Sequence, residues 1–249
     1  MPNFNQGPPR KTPEKITSPE ISAEFIENLF NSKKFKETFK RTFNAVGRDA
    51  REWGFTVFKA LRSEKVLYSK PIGGEWEDET VLGVAELEVH AKIKKNRRLE
   101  KENFFILLRL HFHNISPNED RVVIPSAEDL MTMSNVREGN SDNTNYGTPP
   151  IGTIALRTSP ENSKLLLFQE NIDHPIQREG IFKDLADSVQ ELLHNNDSQE
   201  EIIRILKFYG YKTAFIPDFS GEMTKENIKL LKSFAFKPKA VSEEDEDEM

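Results

Sequence analysis

The chain contains no cysteine among its 249 residues. A protein without cysteine cannot form a disulfide, use a thiolate nucleophile or bind zinc through sulfur. Any metal site must therefore be built from histidine, aspartate and glutamate, and histidine is itself scarce, with five residues. The sequence also lacks an apolar run near the roughly 20 residues that a membrane-spanning helix needs, and it shows no apolar signal-peptide core. We therefore expect a cytoplasmic protein with no membrane partner.

Negative charge outside one C-terminal run is balanced by positive charge. The net charge is −6, and the same number of negative charges comes from Glu243, Glu244, Asp245, Glu246, Asp247 and Glu248. The rest of the chain is formally neutral, which is unlike the basic surface of a dedicated nucleic-acid-binding protein. The run itself predicts an acidic tail that solubilises the protein or contacts a partner.

The most informative pattern is the pair His111 and His113, which follows the apolar stretch from residue 104. Residues two apart on a strand point to the same side of a sheet, so a strand over 104–113 would present both imidazoles together. Asp129, at the start of a predicted helix, can supply a carboxylate. Two histidines and one carboxylate leave a zinc ion with an open fourth position, as in catalytic zinc sites, although the same set also binds Fe(II).

This pattern resembles the JAB/JAMM (MPN-type) zinc metalloprotease family, whose signature is an upstream Glu, then His-x-His-Pro, then Ser-x-x-Asp. The matching positions are Glu52, His111, His113, and Ser126 with Asp129, in the family's order. The resemblance implies that the two histidines and Asp129 bind Zn²⁺. It also implies that Glu52 is the catalytic base and that Ser126 stabilises the oxyanion.

The sequence departs from the family pattern at two points. Asn114 stands where the family usually has Pro, and the segment between His113 and Ser126 is longer than usual. Neither departure removes a metal ligand.

Each motif has an alternative structural explanation. The two histidines could be hydrogen-bonded residues of a sheet, and Glu52 an ordinary surface residue at the end of a helix. Ser126 and Asp129 have the spacing of a helix capping box, which could also coexist with metal binding. The other histidines lack ligand spacing, and we expect structural roles for them: His90 on a strand, His174 in a loop and His194 at a helix end.

Periodicity predicts a mixed α+β fold, with a largely antiparallel sheet flanked by helices and a helical C-terminal extension. The resemblance implies that this sheet is curved and JAB/JAMM-like. Predicted strands cover Glu52–Ala60, Val66–Ile72, Thr80–Ile93, 104–113, Ile151–Arg157, Lys164–Gln169 and Lys212–Ile216. Predicted helices cover 22–46, the segment after Ser126, 178–194, 198–208 and 224–234. Predicted irregular segments are a Gly73–Gly74 turn, an exposed hairpin tip at Lys92–Arg98 and a loop at Glu138–Pro150. The recurring Phe35, Phe39 and Phe43 are predicted core residues.

Four segments are predicted along the chain. A proline-rich disordered arm covers 1–20, and a JAB/JAMM-like domain covers 21–175. A mostly helical extension packed on that domain covers 176–240, and the acidic tail covers 241–249.

The resemblance implies a zinc-dependent isopeptidase or peptidase that acts at the C-terminus of a ubiquitin-like protein. Two alternatives remain open. One is a non-catalytic scaffold of the same fold. The other is a RadC-like protein associated with nucleic acid, which the neutral body disfavours and the basic Lys92–Arg98 segment favours.

Overall fold

The structure, a computed structural model, describes residues 21–48, 51–74, 80–113, 123–144, 148–171 and 199–236. Seven strands form one sheet in the order β2-β1-β4-β5-β6-β7, with β3 also paired to β1. The strands are β1 Trp53–Ala60, β2 Val66–Tyr68, β3 Ile72–Gly73, β4 Phe104–Phe112, β5 Ile151–Arg157, β6 Ser163–Glu170 and β7 Tyr211–Phe219. The helices are α1 Ala23–Asn31, α2 Lys33–Val46, α3 Thr80–Lys94, α4 Arg97–Glu100, α5 Ala127–Thr144, α6 Gln199–Phe208 and α7 Lys225–Leu231, followed by a 3₁₀ turn, Lys232–Phe234.

The strands pair mostly in antiparallel fashion, which confirms the predicted mixed α+β class. Only β4 and β5 run parallel, and helix α5 lies between them in the chain. A parallel pair requires such a crossover connection. This crossover places the C-terminal end of β4 beside the start of α5.

One face of the sheet is covered by α1, α2 and the C-terminal segment, with a core rich in phenylalanine. Ser32 caps α2 by accepting a hydrogen bond from the backbone N–H of Phe35 at 3.1 Å. Phe35, Phe39 and Phe43 follow at steps of four, so they lie on one side of the helix. All three are buried, as predicted. Phe39 and Phe43 contact Phe112, and α2 is thereby fixed against the strand that carries the two histidines.

The other face is covered by α3, α5 and α6. Leu130 of α5 and Leu206 of α6 share a buried cluster with Ile154 and Phe168 of the sheet. Helix α3 packs farther along β1 through Val89, in a separate cluster that also includes Val136 of α5. Both histidines of the predicted motif project toward this second face, since His111 lies beside Ile154 in the parallel pair.

The predicted strand at Thr80–Ile93 is wrong, because this segment is helix α3. Alternation of apolar and polar residues, such as Leu87 between Glu86 and Glu88, suggested a strand, yet Leu87 is 69% exposed. The buried residues Ala85, Val89 and Ile93 instead recur every four positions, which is a helical spacing. The basic residues of the Lys92–Arg98 segment are exposed as expected, but the segment spans the end of α3 and the start of α4 and is no hairpin tip.

Three smaller differences concern segment boundaries. The predicted strand Val66–Ile72 is two short strands, and Gly73 belongs to β3 instead of a turn. The predicted loop at Glu138–Pro150 begins too early, because α5 continues to Thr144. The last predicted strand is longer than expected, since β7 extends to Phe219.

The remaining predicted strands and the predicted helix at 198–208 are confirmed within one or two residues. The helix predicted at 224–234 is α-helical only to Leu231 and continues as the 3₁₀ turn to Phe234. The arm at 1–20, the helix at 178–194, the boundary near 176 and the tail at 241–249 fall outside the described residues and stay predictions.

Candidate metal centre

The two motif histidines lie together where β4 ends. His111 is the penultimate residue of β4, and His113 follows the strand with its backbone N–H donating to the Ala155 carbonyl at 3.0 Å. This bond continues the β4–β5 ladder by one residue, so both imidazoles project from the same face. Their Nε2 atoms are 3.0 Å apart.

Asp129 completes the cluster from the first turn of α5. Its Oδ1 lies 3.1 Å from His111 Nε2, and its Oδ2 lies 3.3 Å from His113 Nε2. The three residues form a group whose donor atoms all lie within 4.8 Å of one another, and the group could hold a metal ion.

The donor spacing fits a small divalent ion. Two nitrogen or oxygen ligands at about 2.0–2.1 Å from a tetrahedral zinc are separated by about 3.3–3.4 Å. The 3.0 Å between the two Nε2 atoms and the 3.1 Å from His111 Nε2 to Asp129 Oδ1 are close to this value, whereas the 3.3 Å from His113 Nε2 is measured to the other carboxylate oxygen, Oδ2. Two imidazoles and one carboxylate are also a donor set that divalent transition metals bind. The residues present therefore fit a metal ion.

Ser126 and Asp129 form the capping box that their spacing suggested. The Asp129 backbone N–H donates to Ser126 Oγ at 3.0 Å, and the Ser126 backbone N–H donates to Asp129 Oδ2 at 2.7 Å. The cap holds the carboxylate in one orientation beside the imidazoles, so capping and metal binding are compatible. Because Ser126 Oγ accepts the cap bond, its own hydroxyl proton remains available to a ligand, and Ser126 is exposed.

Asp129 is only 8% exposed. Burial on its own would raise the pKa of its carboxyl group. The charge and hydrogen bond of His111, followed by those of His113, outweigh burial and hold the pKa of Asp129 well below its usual value. The carboxylate is thus kept ionised, as a metal ligand must be.

Glu52 lies immediately before β1, opposite the histidine end of β4. Trp53 pairs with Phe112 and Gly54 with His111 in antiparallel register, so one further step places Glu52 opposite His113. Residues 52 and 54 share a face of the strand, and this face is the one from which the histidines project. The Glu52 carbonyl accepts a hydrogen bond from Gly74 N–H at 2.9 Å, and its side chain is exposed.

Four other glutamates near Glu52 in the sequence, at positions 64, 75, 77 and 79, are alternative candidates for the base. Glu64 lies beyond the far end of β1, where it contacts Lys59 at 3.5 Å. Glu75, Glu77 and Glu79 fall outside the described residues, as does Asn114.

Two features beside the cluster were not assigned a role from the sequence. The first is Gly54, opposite His111: a Cβ atom there would lie 2.8 Å from His111 Cβ and 2.9 Å from Leu82 Cδ2 of α3. The close approach of these two side chains therefore requires glycine. The sequence signal was the glycine itself, inside an otherwise apolar strand.

The second feature is a buried ion pair on the same face as the histidines. Arg109 of β4 donates from Nε to Glu86 of α3 at 2.7 Å and from Nη2 to its second oxygen at 2.5 Å. Thr56 of β1 donates to the same carboxylate at 2.6 Å. This network ties α3 to both strands that lead to the metal cluster. Arginine in an apolar strand was its only signal in the sequence.

Of the three other histidines, the structure describes only His90, which lies outside the cluster. His90 lies on α3, and not on the predicted strand, where its ring meets Phe58 edge-on at 5.4 Å. Burial lowers its pKa, which favours the neutral ring. His174 and His194 lie outside the described residues.

Comparison of the chain with protein-family models and with curated proteins gave no match. Within the described part of the chain, no helix combines the length and apolar character needed to cross a membrane.

Proposed function

We propose that the chain is a JAB/JAMM-type zinc hydrolase that cleaves a peptide or isopeptide bond. The observation that carries the proposal is the cluster of His111, His113 and Asp129, whose donor atoms all lie within 4.8 Å of one another and could hold a metal ion. The positions of Glu52 and Ser126 at the same end of the sheet also support it, because the resemblance implies catalytic roles for both.

His111 and His113 would hold the ion through their Nε2 atoms, and Asp129 through its carboxylate. A bound zinc ion supplies Lewis-acid chemistry, polarising a carbonyl and making water a nucleophile near neutral pH. We favour zinc over Fe(II) because the resemblance implies hydrolysis. The capping box prevents Asp129 from rotating away and thus preorganises the ligand set.

Glu52 would act as general base and general acid. Its position opposite His113 allows the carboxylate to take a proton from the attacking water and return it to the leaving amine. The hydroxyl of Ser126 would donate a hydrogen bond to the carbonyl oxygen as negative charge develops on it. The exposure of both side chains leaves them accessible to a substrate.

The substrate class comes from the resemblance alone, and we propose the C-terminal tail of a ubiquitin-like protein. An extended tail can be recognised along a strand edge through its main-chain hydrogen bonds.

Metal analysis of the purified protein tests this proposal first. We expect about one zinc per chain, with His111→Ala and His113→Ala each losing the metal while keeping the circular dichroism spectrum of the native fold. His90→Ala is the matched control, because it removes a half-buried histidine from α3 and should keep the metal. A wild-type protein that binds no zinc would overturn the proposal and favour the scaffold.

A panel of ubiquitin-like fusion proteins tests the reaction. Cleavage that depends on both zinc and His113 supports the hydrolase. A zinc-loaded protein that cleaves no member of the panel, and instead binds DNA in a salt-dependent manner, would favour the RadC-like alternative.

A further inference from the structure

Three arginines converge on a cavity at the C-terminal end of α2. Arg41, Asn44, Gly47, Arg48 and Arg157 line this cavity, whose volume is about 530 Å³. None of these residues belongs to the metal cluster, and none carries a negative charge.

The three positions on α2 and just after it have regular helical spacing. Arg41, Asn44 and Arg48 are separated by three and four residues, so they lie along one side of the helix and its C-terminal turn. That turn is closed by the Arg48 backbone N–H, which donates to the Ala45 carbonyl at 3.0 Å. The helix therefore presents two guanidinium groups and one amide to the same space.

Arg157 reaches the cavity from the last position of β5. Its guanidinium carbon lies 4.7 Å from the centre of the Phe43 ring, and its Nε donates to the Ser159 carbonyl at 3.2 Å. These contacts use the stacking face and one donor of the group. Its Nη1 and Nη2 atoms form no hydrogen bond to any of the described residues. Arg157 is thus held in place while the four N–H groups of Nη1 and Nη2 remain available.

Gly47 makes this placement possible. A Cβ atom at position 47 would lie 1.7 Å from Arg157 Nη1 and 2.5 Å from its Cζ, so the guanidinium rests against the bare glycine backbone. The backbone of Gly47 is helical, with φ −71° and ψ −13°, which any residue can adopt. The requirement for glycine here is therefore one of space and not of conformation.

The arrangement lacks a counterion within the described parts of the chain. No ion pair joins Arg41, Arg48 or Arg157 to a described acidic residue. The negative end of the α2 dipole favours cations, but it amounts to only about half an elementary charge. Three full positive charges exceed it.

We propose that this cavity binds the phosphate group of a small phosphorylated molecule. Guanidinium groups present paired donors that match phosphate oxygens, and they remain charged at all relevant pH values. A dianionic phosphate neutralises most of the charge of three arginines, and the Asn44 amide supplies a further donor. The volume lies within the range of small-molecule sites, about 300–1,000 Å³.

The site is separate from the metal chemistry. Arg157 follows Ala155 by two residues on β5, near the strand end where His113 is bound, but it projects to the α2 face of the sheet. Phosphate binding therefore stands or falls independently of the proposed hydrolase.

Titration calorimetry with inorganic phosphate and with phenyl phosphate tests the site on the full chain. We expect saturable binding, weakened by about tenfold or more in Arg41→Gln/Arg48→Gln, because each lost charged hydrogen bond contributes substantially. Arg97→Gln/Arg98→Gln is the matched control, since it removes two exposed arginines of α4 with the same change in net charge. It should bind phosphate as the wild type does.

Gly47→Ala provides a second test that leaves every charge in place. Its methyl group would displace the Arg157 guanidinium, so we expect a similar loss of phosphate affinity without loss of helix stability. Wild-type affinity in Gly47→Ala, equal losses in the two arginine pairs, or no saturable phosphate binding would each overturn the proposal. Binding of a single-stranded oligonucleotide with the same variant dependence, but not of phenyl phosphate, would also overturn it and assign the cavity to a nucleic-acid backbone.

Discussion

His111 lies directly opposite Gly54 on the neighbouring antiparallel strand, and its Cβ atom would be 2.8 Å from a Cβ atom at position 54. A backbone atom, the Leu110 carbonyl oxygen, would be closer still, at 2.5 Å. The space around His111, a candidate metal ligand, therefore depends on a glycine that lies outside the candidate ligand set.

Gly54→Ala should lower both stability and metal affinity. Overpacking of a buried position costs about 1–3 kcal/mol, and displacement of a ligand through its surroundings weakens metal binding by about 10- to 100-fold. Urea unfolding and competition with a zinc-binding dye measure the two effects. Gly83→Ala on α3 is the control, because a Cβ atom there meets no heavy atom within 4 Å. A Gly54→Ala protein with wild-type zinc affinity would show that His111 tolerates displacement.

Glu52→Gln should retain zinc and fold but lose hydrolysis of a cleavable ubiquitin-like fusion. Glutamine keeps the shape of the side chain but cannot accept a proton. General acid–base catalysis contributes about 10²–10⁴-fold, and the loss should appear in kcat instead of KM. Glu64→Gln is the control, since Glu64 lies beyond the opposite end of β1. Equal activity of Glu52→Gln and the wild type would exclude Glu52 as the base.

The buried pair Arg109–Glu86 should be strongly coupled. Their side chains are 12% and 8% exposed, so removing one partner leaves a buried charge, at a cost of about 3–5 kcal/mol. Arg109→Met should therefore destabilise the protein more than Arg109→Met/Glu86→Leu does, as measured by chemical denaturation. The exposed pair Arg204–Glu201 serves as the control, where Arg204→Met should change the free energy of unfolding little. Additive effects at Arg109 and Glu86 would refute the coupling.

The proximity of His111, His113 and Asp129 and the two strands beside them could be predicted because their signals are local. His111 and His113 alternate along one strand, and Ser126 with Asp129 has the spacing of a helix start. The role of Gly54 and the partner of Arg109 could not be predicted, since both depend on how separate elements align. The strand prediction for α3 was wrong because Ala85, Leu87 and Val89 alternate with Glu86 and Glu88, whereas tertiary packing selected the four-residue spacing of Ala85 and Val89.

Lys59 should make stability depend on pH. Its side chain is fully buried, and burial outweighs the attraction of Glu64 and lowers the pKa of its ammonium group below the usual 10.5. The unfolded chain therefore binds more protons than the folded one between the lowered pKa and 10.5, and the free energy of unfolding rises with pH across that window. Below the lowered pKa, Lys59 is charged in both the folded and the unfolded chain, so the full cost of burying its charge lowers the free energy of unfolding.

Lys59→Met removes this titration. Denaturant unfolding at several alkaline pH values should show that the stability difference between Lys59→Met and the wild type changes in favour of the wild type as pH rises. Lys65→Met, at an exposed position in the turn between β1 and β2, should follow the pH profile of the wild type. A constant difference between Lys59→Met and wild type would show that Lys59 titrates alike in both states.

The crossover from β4 through α5 to β5 has a consequence for assembly. The three candidate ligands, His111, His113 and Asp129, lie within one short segment of the chain. Bringing the ends of a short segment together costs less chain entropy than joining distant parts of a chain. An ion bound by this segment would join the end of β4 to the first turn of α5 at a small cost in chain entropy. Metal binding would then stabilise the first half of the crossover, because it would link two elements that no strand pairing connects.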